Sequence, residues 1–451
     1  MFSIDEIVRA TKGLLIQGRL ANKVTGICTD SRSLKPQEAF LALRGNNFDG
    51  HDFVACALKL KTKCLIVQNV PQVSVPETTA LIKVKDTKLA LGDLARFQRN
   101  KFNLPVIAVT GSNGKTTTKE MIAWVLSANA RVLKNEGTKN NQIGLPQTLI
   151  QLTKKDSFAV VEIGTNHFGE VDYLAKIARP NIGVITNIGP SHLEFLKDLK
   201  GVAKEKTALL KSLAWPAIGL LNADDQAFKG LIKAQARVQR IFSYGLDEKS
   251  DFRASAIKLK NGKLEFRVNS KFNFRISSLG GYNIYNALPA IAVGRILGYS
   301  YSQIRARLAV FKFPKGRLNL VEVGGLRFID DTYNSNPFSL NAALTALGAS
   351  SCKGRKILIM GDMLELGKEK ELLHRQIAWS ITNTCDLLIA VGSLSRITAQ
   401  EASQQGFKHI FCCDNALQAR DLLFKKVLPK ASDLILVKGS RSMKMEEVLR
   451  A

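Results

Sequence analysis

The run IAVTGSNGKTTT, residues 107–118, constrains the fold more than any other twelve residues of the chain. Its first part is apolar and rich in β-branched residues, the composition of a buried strand. Its second part crowds two glycines, a lysine and three threonines. From Lys115 onward, Met121, Ile122, Val125 and Leu126 recur on one helical face. A strand that ends in a glycine turn and opens a helix aims backbone N–H groups and the positive end of a helix dipole at one point, where an anion can be held. Gly111 and Gly114 let the backbone approach phosphate oxygens with no Cβ in the way. In the general phosphate-loop pattern G-x-x-x-x-G-K-[ST] the first glycine would fall at Val109, so this loop obeys a shorter rule. The candidate nucleotide site is therefore Thr110, Gly111, Ser112, Asn113, Gly114, Lys115, Thr116 and Thr117. Lys115 is set to bridge the β- and γ-phosphates, and the Thr116 hydroxyl to ligate Mg²⁺.

At 451 residues the chain exceeds one ordinary core, and roughly two to four domains are expected. Residues 1–84 hold short strand-like runs, CLIV at 64–67 and ALIKV at 80–84, and a loop dense in Gly, Asn and Asp at 44–52. Then DTKLALGDLARFQRN reads as a helix, and Pro105 precedes the strand VIAVT. Beyond the loop, FAVVEIG (158–164) and NIGVITNIG (181–189) read as further buried strands. Strand alternating with helix is the signature of a parallel sheet covered on both faces. FKFPKGR (311–317) breaks the pattern, and a third unit follows: RFID, a helix opened by Asn336-Pro337, KILIM, a helix over 369–383, DLLIAVG, a helix near 397–405, and LILVKG. The expected fold is α/β in three domains. Residues 1–84 form a small N-terminal α/β domain, 85–313 a central phosphate-loop domain with a mainly parallel sheet, and 314–451 a Rossmann-like doubly wound domain.

The 45% hydrophobic and 23% charged content suits a globular protein. No apolar run approaches the ~18 residues of a membrane span, and the start MFSIDEIVRATKG lacks a basic, then apolar, leader. A cytoplasmic protein with no membrane insertion is expected. The seven cysteines include no C-x-x-C pair, so reduced, packed thiols are expected, the vicinal Cys412-Cys413 included. A net charge of +27 is compatible with nucleic acid or anionic lipid, or else with an acidic small-molecule substrate. Because the basic residues are spread along the chain with no nucleic-acid motif, the second reading is preferred and no nucleic-acid partner is expected.

TGSNGKTTT resembles the ATP loop of the Mur ligases, which build the peptide of bacterial peptidoglycan, and of their folylpolyglutamate synthetase relatives. Further segments follow in family order: TDSRSLKPQEAFLALRGNNFDGHDF (29–53), KNNQIGLPQTL (139–149), VVEIGTNHFGE (160–170), NIGPSHLEF (187–195), GVAKEK (201–206), GGYNIYNALPA (280–290), DDTYNSNP (330–337), GDMLELG (361–367) and VKGSRSMKMEEV (437–448). The resemblance implies an ATP-dependent ligase acting through an acyl phosphate. DDTYNSNP and GDMLELG favour the branch that joins UDP-N-acetylmuramoyl-tripeptide to D-alanyl-D-alanine. The sister branch that adds the third amino acid carries a D-N-P-R signature, absent here. A nucleotide-dependent nucleic-acid-binding protein is the reading from a different class.

By the same resemblance Glu162 and Thr116 hold one Mg²⁺, His192 ligates a second metal, and Lys206 is carbamylated into a carboxylate-like metal ligand, an exposed helix lysine being the alternative. The catalytic set is Lys115, Glu162, His192 and Lys206. Asn283 and Asn286 position the nucleotide, Asn286 being the contact to the base, while Arg317 and Asp331 reach back from the C-terminal domain to the phosphate and ribose. Ser31, Arg32 and the Gly45 to Asp49 loop face the UDP end, a salt-bridged loop being the alternative for Arg32. Asn140, Asn141, Thr165, Asn166 and His167 meet sugar or peptide, and Asn334, Lys438, Ser440 and Arg441 meet the peptide or incoming dipeptide. Thr165 stands where many relatives carry a small apolar residue, and Leu196 where a glycine is frequent. The site is expected to be complete only when the C-terminal domain closes on the central one, in a monomer.

Overall fold

The computed structural model describes residues 1–45, 48–227, 230, 238–260 and 262–450. Three large sheets follow one another along the chain, and a short two-stranded one pairs Phe2–Ser3 with Lys23–Val24. The first has five strands in the order Leu14–Gln17, Ala80–Lys83, Cys64–Val67, Ala39–Leu41, Ile27–Cys28, parallel except at the first pair. The helices Ile4–Thr11 and Thr87–Asn100 flank it in sequence, and each starts as its residues dictate. Ser3 and Glu6 form a reciprocal cap on the first, and Asp86 accepts from Leu89 N–H on the second.

The central sheet has nine strands. Val106–Thr110 lies inside it, hydrogen-bonded in parallel to Phe158–Glu162 on one side and Ile182–Ile185 on the other. Ile218–Asn222 and Arg240–Gly245 continue the parallel run. Phe252–Lys260, Lys263–Val268 and Phe272–Ile276 then extend it as an antiparallel ribbon. The sequence reading does not anticipate that ribbon. Its signal is nevertheless there: Leu264, Phe266, Val268, Phe274 and Ile276 are buried at alternate positions, the period of a half-buried strand.

The C-terminal sheet runs Asn319–Val323, Leu326–Asp331, Leu434–Lys438, Lys356–Gly361, Leu387–Val391, Ile410–Cys413, parallel except at its first pair. Alternation shows why helices cover both faces. Leu358 and Met360 belong to one core and Ile357 and Ile359 to the other, and the same split divides Leu434 and Leu436 from Ile435 and Val437. The central strand does the same, with Val106 and Ala108 on one side and Ile107 and Val109 on the other. One of those central cores is continuous with the N-terminal unit, because Ile4, Ile7, Ile66 and Ile82 share it with Val106, Leu145 and Leu174.

The helix expected near 397–405 begins earlier, at Ser393, where Gly392 takes a positive φ of 102° and Asp362 accepts from Ser395 N–H. All seven cysteines are free thiols. Among the described residues no helix is long and apolar enough to cross a membrane.

Candidate active site

The loop between Thr110 and Thr116 is held at almost every atom that could move it. Ser112 N–H donates to Asn187 O, and Asn113 N–H to Asn187 Oδ1 at 2.9 Å. The Asn113 carbonyl accepts from Thr186 Oγ1 (2.6 Å) and Asn187 Nδ2 (3.1 Å). Ser112 Oγ reaches Gly189 O at 2.8 Å, and Thr110 Oγ1 reaches Ile163 O at 2.9 Å. The two glycines are required by contact as well as by dihedral angle. Gly111 has φ +144°, and a Cβ there would lie 1.9 Å from Thr186 Oγ1. Gly114 has φ +78°, and its Cβ would meet Asn286 Oδ1 at 2.3 Å. Thr186 and Asn187 thus shape the loop. They lie on and beside the 187–195 motif, yet nothing in the sequence assigns them this part.

Lys115 opens the helix Lys115–Leu126 and folds back over the loop, donating to Gly111 O (2.8 Å) and Ser112 O (3.1 Å). Burial pushes its ammonium pKa down, and the nearby Glu162 carboxylate opposes that shift. Glu162 ends its strand only 1% exposed. One oxygen accepts from Asn140 Nδ2 at 2.7 Å, whereas the other, Oε2, is buried without a partner. A buried carboxylate oxygen without a partner is rare in folded proteins, because its desolvation is left uncompensated. Lys206 lies on the helix Leu199–Lys211, 1% exposed, and among the described residues it forms no ion pair. Burial, and then repulsion from Lys115, push its pKa well below the ordinary lysine value.

The C-terminal unit reaches this loop. Arg317 Nη2 donates to Thr116 Oγ1 at 3.2 Å, and the guanidinium stacks on Tyr333 at 3.7 Å. Asn336 Nδ2 donates to Asn113 Oδ1 at 2.8 Å. His192, with φ +52°, sets Nδ1 2.7 Å from the carboxylate of Glu365, itself at φ +62°. That contact holds the Glu365 carboxyl below the usual range. Among the described residues no three or more His, Cys, Asp or Glu side chains gather as a metal cluster.

Several expected contacts take another form. Asn286 is buried and engaged, with Nδ2 on Asn283 Oδ1 (2.7 Å) and Oδ1 accepting from Thr118 (3.2 Å). It therefore props the loop from beneath through Gly114. Asn283 is the first residue of the helix Asn283–Ile296 and donates to Ser278 Oγ. Asp331 and Lys438, read separately from sequence, meet in a buried ion pair of 2.6 Å, and Lys438 also donates to Asn334 O. Asn334 Oδ1 accepts from Ser335 N–H. Ser440 Oγ is engaged by Leu364 N–H, while Arg441 is exposed and paired with Glu446. Asn141 Oδ1 accepts from Ile143 and Gly144 N–H at a helix start. Thr165 is buried, donates to His167 O and lies 3.3 Å from Glu205. The Asn166 and His167 N–H groups donate to Glu170, and the His167 ring packs on Phe195. Glu205, given no role from sequence, accepts from Gly169 and Val171 N–H and so anchors the loop over 165–170.

In the N-terminal unit, Arg32 forms a two-pronged pair with Asp30 (2.9 and 2.7 Å) and its side chain is 88% exposed. Arg32 pulls the Asp30 carboxyl down to about 2. Ser31 is buried beside it. Gly45 N–H donates to Phe48 O, and the expected loop residues Asn46 and Asn47 lie outside the described residues.

A glycine-gated phosphate cradle on a parallel sheet, with an arginine reaching over from a second α/β unit, defines a class: a phosphate-loop nucleotide enzyme whose site is shared between domains. Family models for the Mur ligase family catalytic domain, the Mur ligase middle domain and the Mur ligase glutamate ligase domain match residues 23–99, 109–294 and 316–441. The chain belongs to the Mur ligase family. It is 34% identical to the UDP-N-acetylmuramoyl-tripeptide–D-alanyl-D-alanine ligase of Bacillus subtilis (98% of each chain covered). It is also 34% identical to the ligase of the same name from Escherichia coli (94% of this chain, 93% of the relative). Among solved structures it superposes on MurF from Acinetobacter baumannii with a TM-score of 0.91 at 31% identity, covering 99% and 97% of the two chains. On MurF from Thermotoga maritima in complex with ADP the TM-score is 0.82 at 27% identity, with 94% and 96% covered.

Proposed function

We propose that this chain is an ATP-dependent ligase that joins D-alanyl-D-alanine to UDP-N-acetylmuramoyl-tripeptide, giving UDP-N-acetylmuramoyl-pentapeptide, ADP and phosphate. The observation that carries the reading is full-length similarity to relatives of that name, with a phosphate loop folded around Gly111 and Gly114. The chemistry follows from the difficulty of the reaction. A carboxylate is a poor electrophile, so its oxygen takes the γ-phosphoryl group of ATP and ADP leaves. The dipeptide amine then attacks the acyl carbon, loses a proton, and phosphate departs.

Negative charge accumulates on the phosphoryl group in transfer, and Lys115, the loop N–H groups and Arg317 are the donors that meet it. Mg²⁺ fits the residues present, because Glu162 offers a buried, unpartnered oxygen and Thr116 a hydroxyl. When bound, the ion supplies electrostatic stabilisation to phosphate oxygens. Imidazole is an unusual ligand for magnesium, so His192 as holder of a second ion rests on the family resemblance. Lys206 suits carbamylation: a buried amine with a lowered pKa is available as the free base, which adds CO₂ and releases a proton. The product places beside Lys115 an anion able to hold metal.

Asp331, Lys438, Asn334 and Ser440 support the substrate side of the C-terminal domain, with Arg441 the exposed cation for a carboxylate. The domain limits at 84/85 and 313/314, a cytoplasmic location and a monomeric state belong to the same reading. The test is phosphate release and product mass with ATP, tripeptide precursor and D-alanyl-D-alanine. Pentapeptide product is expected. Release only with a dipeptide precursor and a free amino acid would transfer the chain to the sister branch, and release stimulated by RNA or DNA would overturn the ligase reading.

A further inference from the structure

The docked C-terminal domain fixes which way one side chain of the phosphate loop faces. Ser339 N–H can only donate, and it donates to Asn336 Oδ1 at 2.8 Å, capping the helix Pro337–Ala349. The Asn336 amide is thereby oriented, so its Nδ2 points outward and donates to Asn113 Oδ1 at 2.8 Å. Asn113 must then turn its own Nδ2 the other way, where that NH₂ group is buried with no partner. The Asn113 backbone cannot rearrange to help, since Asn187 and Thr186 hold both its N–H and its carbonyl. A second unpartnered group stands next to this chain of bonds: Ser335, 5% exposed, whose Oγ has no hydrogen-bond partner. Buried donors without acceptors are rare in folded proteins and mark a place for a ligand. An amide NH₂ can only donate, so what fits beside it is an acceptor. It sits on a loop whose backbone and lysine already favour anions, so that acceptor is anionic oxygen.

We infer that Asn336 is a positioning residue that fixes the polarity of the Asn113 amide, so that Asn113 donates to a phosphate oxygen beyond the α-phosphate of the bound nucleotide. The inference rests on the nucleotide reading above. Undocked, the Asn113 amide is free to turn and present its oxygen to the phosphates. Docking thus adds a correctly oriented donor along with the Arg317 guanidinium.

The test uses the full chain, with a non-hydrolysable ATP analogue and AMP as probes, each measured by competition against a fluorescent nucleotide. Asn336→Ser keeps a capping hydroxyl but is too short to reach Asn113. Asn336→Asp keeps the cap but offers an acceptor that captures the Asn113 NH₂. Both variants are expected to weaken the ATP analogue roughly 10- to 100-fold, as for loss of a hydrogen bond to a charged group, with AMP affinity and melting temperature unchanged. Asn113→Ala is expected to do the same, and the double variant Asn113→Ala/Asn336→Ser to bind no more weakly than Asn113→Ala alone. Parent-like affinity in Asn336→Asp, additive losses in the double variant, or an equal loss for AMP would overturn the inference. Failure of the ligase reading is distinguishable, because the parent would bind the analogue yet form no pentapeptide.

Discussion

The phosphate loop and the N-terminal loop around Arg32, which we propose faces the UDP end of the substrate, are both built from polar residues, and they stand ready for ligands in opposite ways. In the first, strand ends from the central sheet hold the backbone of Ser112 and Asn113, and two glycines sit where no Cβ fits. In the second, the candidate arginine lies in solvent and, among the described residues, pairs with its neighbour Asp30 alone. A site of the first kind has its ordering cost met by folding, so binding energy remains for the reaction. A site of the second kind must exchange an existing ion pair for the ligand, and contributes recognition more than rate.

The widest separation between the two regions comes from Gly111→Ala. Its methyl group would need Thr186 to move and would occupy backbone that L-residues avoid, a strain on the order of 2–6 kcal/mol. Loss of nucleotide binding in a calorimetric titration is the expected result, and parent-like binding would erase the contrast. Next, Lys115→Ala is expected to lower kcat by about 10²–10³-fold, as for other single donors to a transition-state anion, measured by phosphate release. Full nucleotide binding and turnover in that variant would refute the loop's assigned role.

Lys206→Ala should also fall steeply, and millimolar acetate or formate should restore part of the rate if a carbamate is what the chain lost. In ¹³C NMR with labelled bicarbonate, a carbamate signal should be present in the parent and absent in the variant. Undiminished activity without added carboxylate would end that assignment. The smallest effect belongs to Arg32→Ala, with a raised KM for the UDP precursor, an unaltered kcat and no measurable shift in melting temperature. By NMR titration Asp30 should move up from about 2 toward 3.8, its ordinary value, without reaching it, because the Arg32 backbone N–H still donates to it. The stability this carboxylate contributes is present above its ordinary pKa and fades as pH falls through the folded value. A large drop in kcat would instead make the N-terminal loop part of the catalytic machinery.

Legibility in the sequence followed locality. The strand Val106–Thr110, the turn after it and the cap at Asn336-Pro337 are written within a few residues of where they act, so period and punctuation suffice. The ribbon over 252–276 carries the alternation of a strand, but which sheet it extends is decided by pairing that no local pattern encodes. The site divides the same way. Lys115, Thr116 and Glu162 sit in recognisable motifs. Asn187, Glu205 and Asn336 act through partners between 34 and 223 positions away, a proximity that only folding creates. For Asp331 and Lys438 the motifs are legible, but not that each would neutralise the other inside the C-terminal sheet.

The crowding at Gly111 and Gly114 has a consequence for inhibitor escape. A compound resting on the backbone amides of this turn would contact features that no single side-chain change can remove without also collapsing the cradle, since Thr186 and Asn286 already occupy the room a methyl would need. Resistance would have to arise at the rim, where residues are exposed and replaceable, leaving the floor of the pocket as a fixed address.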